Sequence, residues 1–201
     1  MSDWRIVPVL SGRHVRLEPL QPAHAEGLRA AAADGELWTL WYTSVPSPEA
    51  VESYIEAALA MQAEGRALPF AVRDAQGDIV GSTRYYDLDR ETPKLQIGYT
   101  WYAQRAQRTA LNSEAKLLLL THAFETLGCI AVGFETSTHN RASRAAIARL
   151  GAQQDGILRN HRRHADGSVR DTVAFSIIDT EWPQVKRRLQ DRLEAREQAH
   201  A

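Results

Sequence analysis

The chain has 201 residues, 44% hydrophobic and 24% charged, which is the balance of a globular protein rather than a disordered or fibrous one. That length can bury one substantial core without disulfides or metals, so a single domain over 1–201 is expected. With 24 Lys+Arg against 25 Asp+Glu the net charge is −1; no whole-molecule field draws the protein to nucleic acid or a membrane surface, and any anion site must be local.

Cys129 is the only cysteine and cannot form an internal bridge, which suits a reducing compartment. Residues 1–10 lack the apolar core of a signal peptide, and no run approaches the roughly 20 apolar residues of a membrane span. A cytoplasmic protein is expected.

In chain order, residues 13–20 alternate polar and apolar, the period of a half-buried strand. Pro22 opens an Ala-rich helix to Ala33, ended by Asp34-Gly35. A second helix follows Ser47, with Val51, Ile55, Ala58 and Leu59 as its apolar stripe. Residues 69–73 and 78–87 read as strands around a turn at 74–77, and 95–102 as a third, giving an antiparallel meander. Residues 112–127 read as a helix packed on more than one side, because Leu117 to Leu120 leave little polar surface at its middle. Gly128 ends it, and 130–136 forms a mostly apolar strand.

Asn140 suits the N-cap of a helix closed by Leu150-Gly151. A hairpin of 153–164 and 168–178 turns at Ala165-Asp166-Gly167. Thr180 is read as the cap of a last helix, about 180–196, with the stripe Trp182, Val185, Leu189 and Leu193. A strand, helix, strand unit across 95–136 requires a parallel pair inside an otherwise antiparallel sheet, so the fold class is α/β with a mixed sheet.

The segment from Tyr102 to Leu111 leaves a strand and enters a helix. Its free backbone N–H groups and the positive helix end favour a phosphate, and Arg105 and Arg108 add charge; a solvated basic turn is the alternative.

The order of elements resembles the GNAT acetyltransferase superfamily, and more narrowly its ribosomal-protein N-terminal acetyltransferase-like branch. The residues that carry the likeness are the loop Arg105-Ala-Gln-Arg108-Thr-Ala110, the following Asn112-Ser113-Glu114-Ala115, and Asn140-Arg-Ala-Ser143 before Leu150-Gly151-Ala152. It covers about 15–189. The resemblance implies a GNAT-like fold, acetyl-CoA as acetyl donor, and an amine acceptor of unknown identity, either a peptide N-terminus or a small molecule. The family loop runs Arg/Gln-x-x-Gly-x-Gly/Ala; Arg105 fills its first position and Ala110 its last, while Arg108 replaces the middle glycine. By the same resemblance, Arg105, Arg108, Thr109, Ala110, Leu111 and Asn112 hold the pyrophosphate. Pantetheine runs along Tyr99, Thr100 and Trp101, with a backbone N–H near Thr100 or Trp101 facing the thioester oxygen. Asn140 and Ser143 face the pantetheine arm, although a plain cap also explains Asn140.

A neutral amine is needed for attack. Gln96 occupies the position where relatives place a glutamate base, and an amide cannot accept a proton there. Glu135, His139 and Glu91 are the substitutes. Ile147 stands where relatives often place an acidic tyrosine, so Ser143 is the acid expected to reprotonate the CoA thiolate. Trp38, Trp41 and Tyr42, with Tyr85 and Tyr86, are read as acceptor walls or as rings that simply close the core. His161 and His164 fall on opposite faces of a strand, so no metal site is expected.

The altered Gly and Glu positions motivate a second reading, a non-catalytic acyl-CoA-binding sensor or structural module. A homodimer through the charged last helix is the remaining partner expectation, against a solvated face.

Overall fold

The computed structural model describes residues 4–198. Eight strands form one mixed sheet in the order β1-β2-β3-β4-β5-β6-β8-β7. The strands are β1 (Leu10–Ser11), β2 (Val15–Pro19), β3 (Ala67–Asp74), β4 (Ile79–Asp89), β5 (Lys94–Tyr102), β6 (Ala131–Ser137), β7 (Gln153–Arg163) and β8 (Val169–Ile178). The helices are α1 (Ala25–Ala33), α2 (Val51–Ala63), α3 (Leu111–Thr121), α4 (Arg141–Leu150) and α5 (Trp182–Gln198). Every pairing is antiparallel except β5 with β6, where α3 makes the crossover. Among the described residues no helix is long and apolar enough to cross a membrane.

Alternation along β4 decides which side chains reach which helix layer. Tyr85 points to α3, where its hydroxyl donates to the Leu119 carbonyl at 2.6 Å. Arg84 points to the other face and lies over the Tyr54 ring of α2. Tyr85 is fully buried and edge-on to Phe70, so the expectation of an acceptor wall is corrected: this ring is core. Its hydroxyl also marks where α3 changes. From His122 to Thr126 the helix widens to a π turn, with Leu127 N–H donating to the His122 carbonyl at 2.9 Å. The side-chain donor at Leu119 competes with the backbone for that carbonyl, an insertion that favours a wider turn.

The last helix begins at Trp182, two residues beyond the cap expected at Thr180. Glu181 stands there instead, its carboxylate accepting from Ile178 N–H at 3.2 Å. Trp182, Val185, Leu189 and Leu193 are all buried, and Trp182 stacks on Phe124 with centroids 5.2 Å apart. The indole N–H and the Lys186 ammonium both donate to Glu125. The apolar stripe of α5 is therefore spent inside the chain.

Cys129, just past Gly128, is buried, and burial pushes its thiol up to about 12.

Candidate active site

β5 and β6 pair only from Lys94 opposite Ala131 to Gln96 opposite Gly133. Both strands continue, to Tyr102 and Ser137, without further pairing to each other, so the sheet opens into a cleft at the C-terminal ends of its one parallel pair. On the other side of β5 the register to β4 slips: Ser82 faces Trp101, but Arg84 faces Gly98. Two steps on β4 match three on β5, which is a bulge, and Tyr99 takes it up with φ 51°. Gly81 makes room for it: a Cβ there would sit 2.1 Å from the Trp101 carbonyl oxygen.

After β5 the chain makes a short 3-10 turn at Gln104–Ala106 and enters α3 at Leu111. Thr109 braces that entry, its hydroxyl donating to the Ala106 carbonyl at 2.8 Å and accepting from Leu111 N–H at 3.2 Å. Arg108 is exposed and adopts φ 60°. The left-handed backbone that a glycine would take at this position is thus kept by a residue with a Cβ, at a cost of about 1 kcal/mol. Arg105 departs from the expected phosphate contact. Its guanidinium lies 3.7 Å from Asp34, 3.8 Å from Asp74 and 3.6 Å from Asp78, so it anchors the loop to the α1 end and the β3–β4 turn. Those three carboxylates are distant in sequence, and no local pattern announced them.

At the far side of the cleft, Asn140 accepts from Ser143 N–H at 3.0 Å through Oδ1 and caps α4. The cap uses its carbonyl and not its amide donors. Ser143 is half-buried beside it, and Ile147 is buried. Trp41 crosses from the 3-10 turn at Leu37–Thr39 to cover this corner, 5.0 Å from the His139 ring and 4.8 Å from His164. Tyr42 is edge-on to Trp41. Trp38 and Trp41 remain 39% and 44% exposed, so neither closes the core. His164 is buried while His161 is exposed, and among the described residues no three His, Cys, Asp or Glu side chains are placed to hold a metal.

On the α2 face of the sheet, Tyr86 donates to Gln96 Oε1 at 3.0 Å, and Gln96 Nε2 donates to Glu135 Oε1 at 3.3 Å. Arg162 holds the other Glu135 oxygen at 3.0 Å. Burial first, and the Glu135 carboxylate second, push the Tyr86 hydroxyl well above the usual phenol range. A crevice of about 300 Å3 opens beside this chain, with Gln96, Gly133, Glu135 and Asp155 in its wall. Glu91 lies elsewhere, in the exposed β4–β5 turn where its N–H donates to Asp89, so it is no substitute base for the cleft.

Sequence reasoning missed Lys116. This lysine of α3 is 6% exposed and donates to Thr100 Oγ1 at 2.8 Å, and Thr100 in turn shares a hydrogen bond with Thr83. Burial without a carboxylate partner lowers its ammonium to about 7. A signal was present: a helix packed all round leaves no solvent face, and Lys116 stands four residues before buried Leu120.

The opened mixed sheet places the protein among the acetyltransferases. A solved GCN5-related N-acetyltransferase from Brucella melitensis superposes with a TM-score of 0.83 at 30% identity, over 94% of this chain and 86% of that one. RimJ of Mycobacterium smegmatis, solved with CoA-disulfide, shares the fold at a TM-score of 0.78 and 20% identity, over 94% of this chain and 96% of its own. In sequence, the N-acetyltransferase YoaA of Bacillus subtilis (strain 168), itself uncharacterized, is 25% identical over 175 residues, which is 85% of this chain and 97% of YoaA. The model of the acetyltransferase (GNAT) domain matches residues 14–153. The chain belongs to the GNAT family of N-acetyltransferases.

Proposed function

We propose that the protein moves an acetyl group from acetyl-CoA to a primary amine, with the cleft between β5 and β6 holding the thioester. The observation that carries this reading is the coincidence of two backbone features: the parallel ladder stops after Gln96 and Gly133, and β5 bulges two to three residues later at Tyr99. A bulge leaves backbone donors of β5 outside the β4 ladder. Pantetheine would add to Tyr99, Thr100 and Trp101 as a strand, and an N–H near Thr100 or Trp101 would meet the oxyanion.

The pyrophosphate would rest on the amides of Thr109, Ala110 and Asn112 at the α3 entrance, where Thr109 already holds the Leu111 N–H, with exposed Arg108 as the cation beside it. Arg105 shapes this loop from behind. Asn140, its Oδ1 spent on the cap, would offer its amide to the pantetheine arm, and Ser143 would return a proton to the departing thiolate.

Glu135 is bound by Arg162 and Gln96, so it suits orienting an ammonium better than removing its proton. His139, exposed against Trp41, is the better placed base. Trp38, Trp41, Tyr42 and Tyr86 would wall the acceptor. Isothermal titration with acetyl-CoA and thiol release over a panel of amines test the reading together. Binding with release on at least one amine is expected. Tight binding with no release on any amine would make the protein an acyl-CoA sensor instead, and no binding would remove the cofactor from the cleft.

A further inference from the structure

Three cationic side chains stand on the α2 face of the sheet around Tyr86 and Tyr99, and only one of them has a carboxylate. Arg162 pairs with Glu135 at 3.0 Å. Arg170 lies directly opposite Arg162 across the β7–β8 ladder, where two like charges repel. The Arg170 side chain makes no hydrogen bond or ion pair among the described residues, and its Nε is buried without a partner. Arg84 is 2% exposed, 4.1 Å over the Tyr99 ring and 5.1 Å from Tyr54, and its Nε is likewise buried without a partner. Two residues beyond Arg170 on the same face of β8, the fully buried Thr172 hydroxyl also has no partner.

Buried donors of this kind are seldom left unsatisfied. A guanidinium, unlike an ammonium, cannot relieve its burial by giving up a proton near neutral pH. Burial first, then the Arg162 charge, bear against the Arg170 cation; the Glu135 carboxylate supports it. The arrangement is that of a site waiting for an anion.

We infer that the acceptor amine also carries a carboxylate, and that Arg170, with Thr172 beside it and Arg162 opposite, receives that carboxylate on the α2 face of the sheet. The inference rests on the acetyl-transfer reading for the amine end of the same molecule. At the Arg170 end, Arg162, Glu135 and Arg170 sum to one positive charge, which a single carboxylate cancels, while the Arg84 guanidinium lies apart over the Tyr54 and Tyr99 rings. The two ends also separate sensibly. Glu135 presents a carboxylate to the ammonium, Arg170 a fork to the acid, and Tyr99 joins them to the strand proposed to hold the thioester. A planar two-toothed contact from guanidinium to carboxylate is the strong geometry for such recognition.

The test compares alanylglutamate with its doubly amidated form as acceptors. A KM at least about tenfold lower for the acid is expected, which is the discrimination of one charge-assisted contact. Arg170→Gln should bring the ratio of the two KM values near one, and Arg170→Lys should restore part of it, in variants whose melting curves match the parent. Equal KM values for the two peptides in the parent, or a ratio that survives Arg170→Gln, would overturn the inference. So would a larger preference for phosphoethanolamine over ethanolamine, which would give the subsite to a phosphate.

A second readout needs no turnover. The Arg170 Nε–Hε resonance, assigned by its loss in Arg170→Gln, should shift when N-acetyl-alanylglutamate is added and stay still with its diamide. A shift without any acetyl transfer keeps the acid subsite and sinks the transfer reading. Transfer without a shift does the reverse.

Discussion

The two faces of β4 and β5 handle buried cations in opposite ways. On the α3 face, Lys116 hydrogen-bonds to Thr100, and burial lowers its ammonium to about 7, so this cation can shed its charge. On the α2 face, the Arg84 guanidinium is met by the Tyr54 and Tyr99 rings, and near Arg170 stands the Glu135 carboxylate that Arg162 already holds. The contrast teaches how differently the two cations are surrounded. The α3 side closes the polar chain of its buried cation internally through Lys116, Thr100 and Thr83, although the Tyr102 hydroxyl beyond it has no partner, while the α2 side leaves the Nε atoms of Arg84 and Arg170 and the Thr172 hydroxyl unsatisfied.

The harshest way to break this contrast is to disturb the backbone that both faces share. Gly81→Ala would press a Cβ to 2.1 Å from the Trp101 carbonyl, and a loss of about 3 kcal/mol with weakened acetyl-CoA binding is expected from denaturant melts and calorimetry.

Lys116→Met sharpens the closed side. The native lysine titrates near 7 and the unfolded one near 10.4, so between those values the unfolded chain holds one more proton and stability of the parent rises with pH. The variant loses that slope. Relative to the parent its stability should improve by on the order of 4 kcal/mol as pH falls from 10 to 6 in a series of thermal melts.

Two neighbouring tyrosines then compare the faces directly. Tyr85→Phe removes one of two donors from the Leu119 carbonyl, which keeps the His122 N–H, and should cost about 1 kcal/mol, and the π turn that follows should show altered hydrogen exchange at Leu127. Tyr86→Phe, whose hydroxyl serves Gln96 near the open crevice, should cost less stability and act on acceptor KM instead. The mildest change is Arg108→Gly. Relief of its left-handed backbone should add about 1 kcal/mol to stability, and a drop in acetyl-CoA affinity alongside would show that the side chain works on the phosphate.

Much of this molecule was legible as periodicity. The alternation in β2, the stripe of α5 and the Asn140 and Gly151 ends of α4 are local patterns with local causes, and they placed most elements within one to three residues. The parallel pair followed from a strand, helix, strand order whose helix is long enough for a crossover. What stayed hidden was set by distant partners. The two-residue β1 is too short to show a period, and Glu114 of α3 holds the bend after it by accepting from Arg13 and His14 N–H. The π turn depends on a hydroxyl from β4, and the direction of Arg105 on carboxylates from α1 and the β3–β4 turn. At the site, the resemblance indicated loop and cap, but not the buried lysine beneath Thr100 or the arginine pair across β7 and β8, since charged residues in strands and helices ordinarily read as solvated.

The seclusion of Cys129 has a practical return. A disulfide reagent that colours on meeting a thiolate would find almost none on the intact chain near neutral pH, because the lone sulfhydryl is both covered and protonated. Liberated coenzyme would therefore be counted against a blank baseline, and one extra equivalent of colour, arriving late or on warming, would time the moment at which the enzyme itself comes apart.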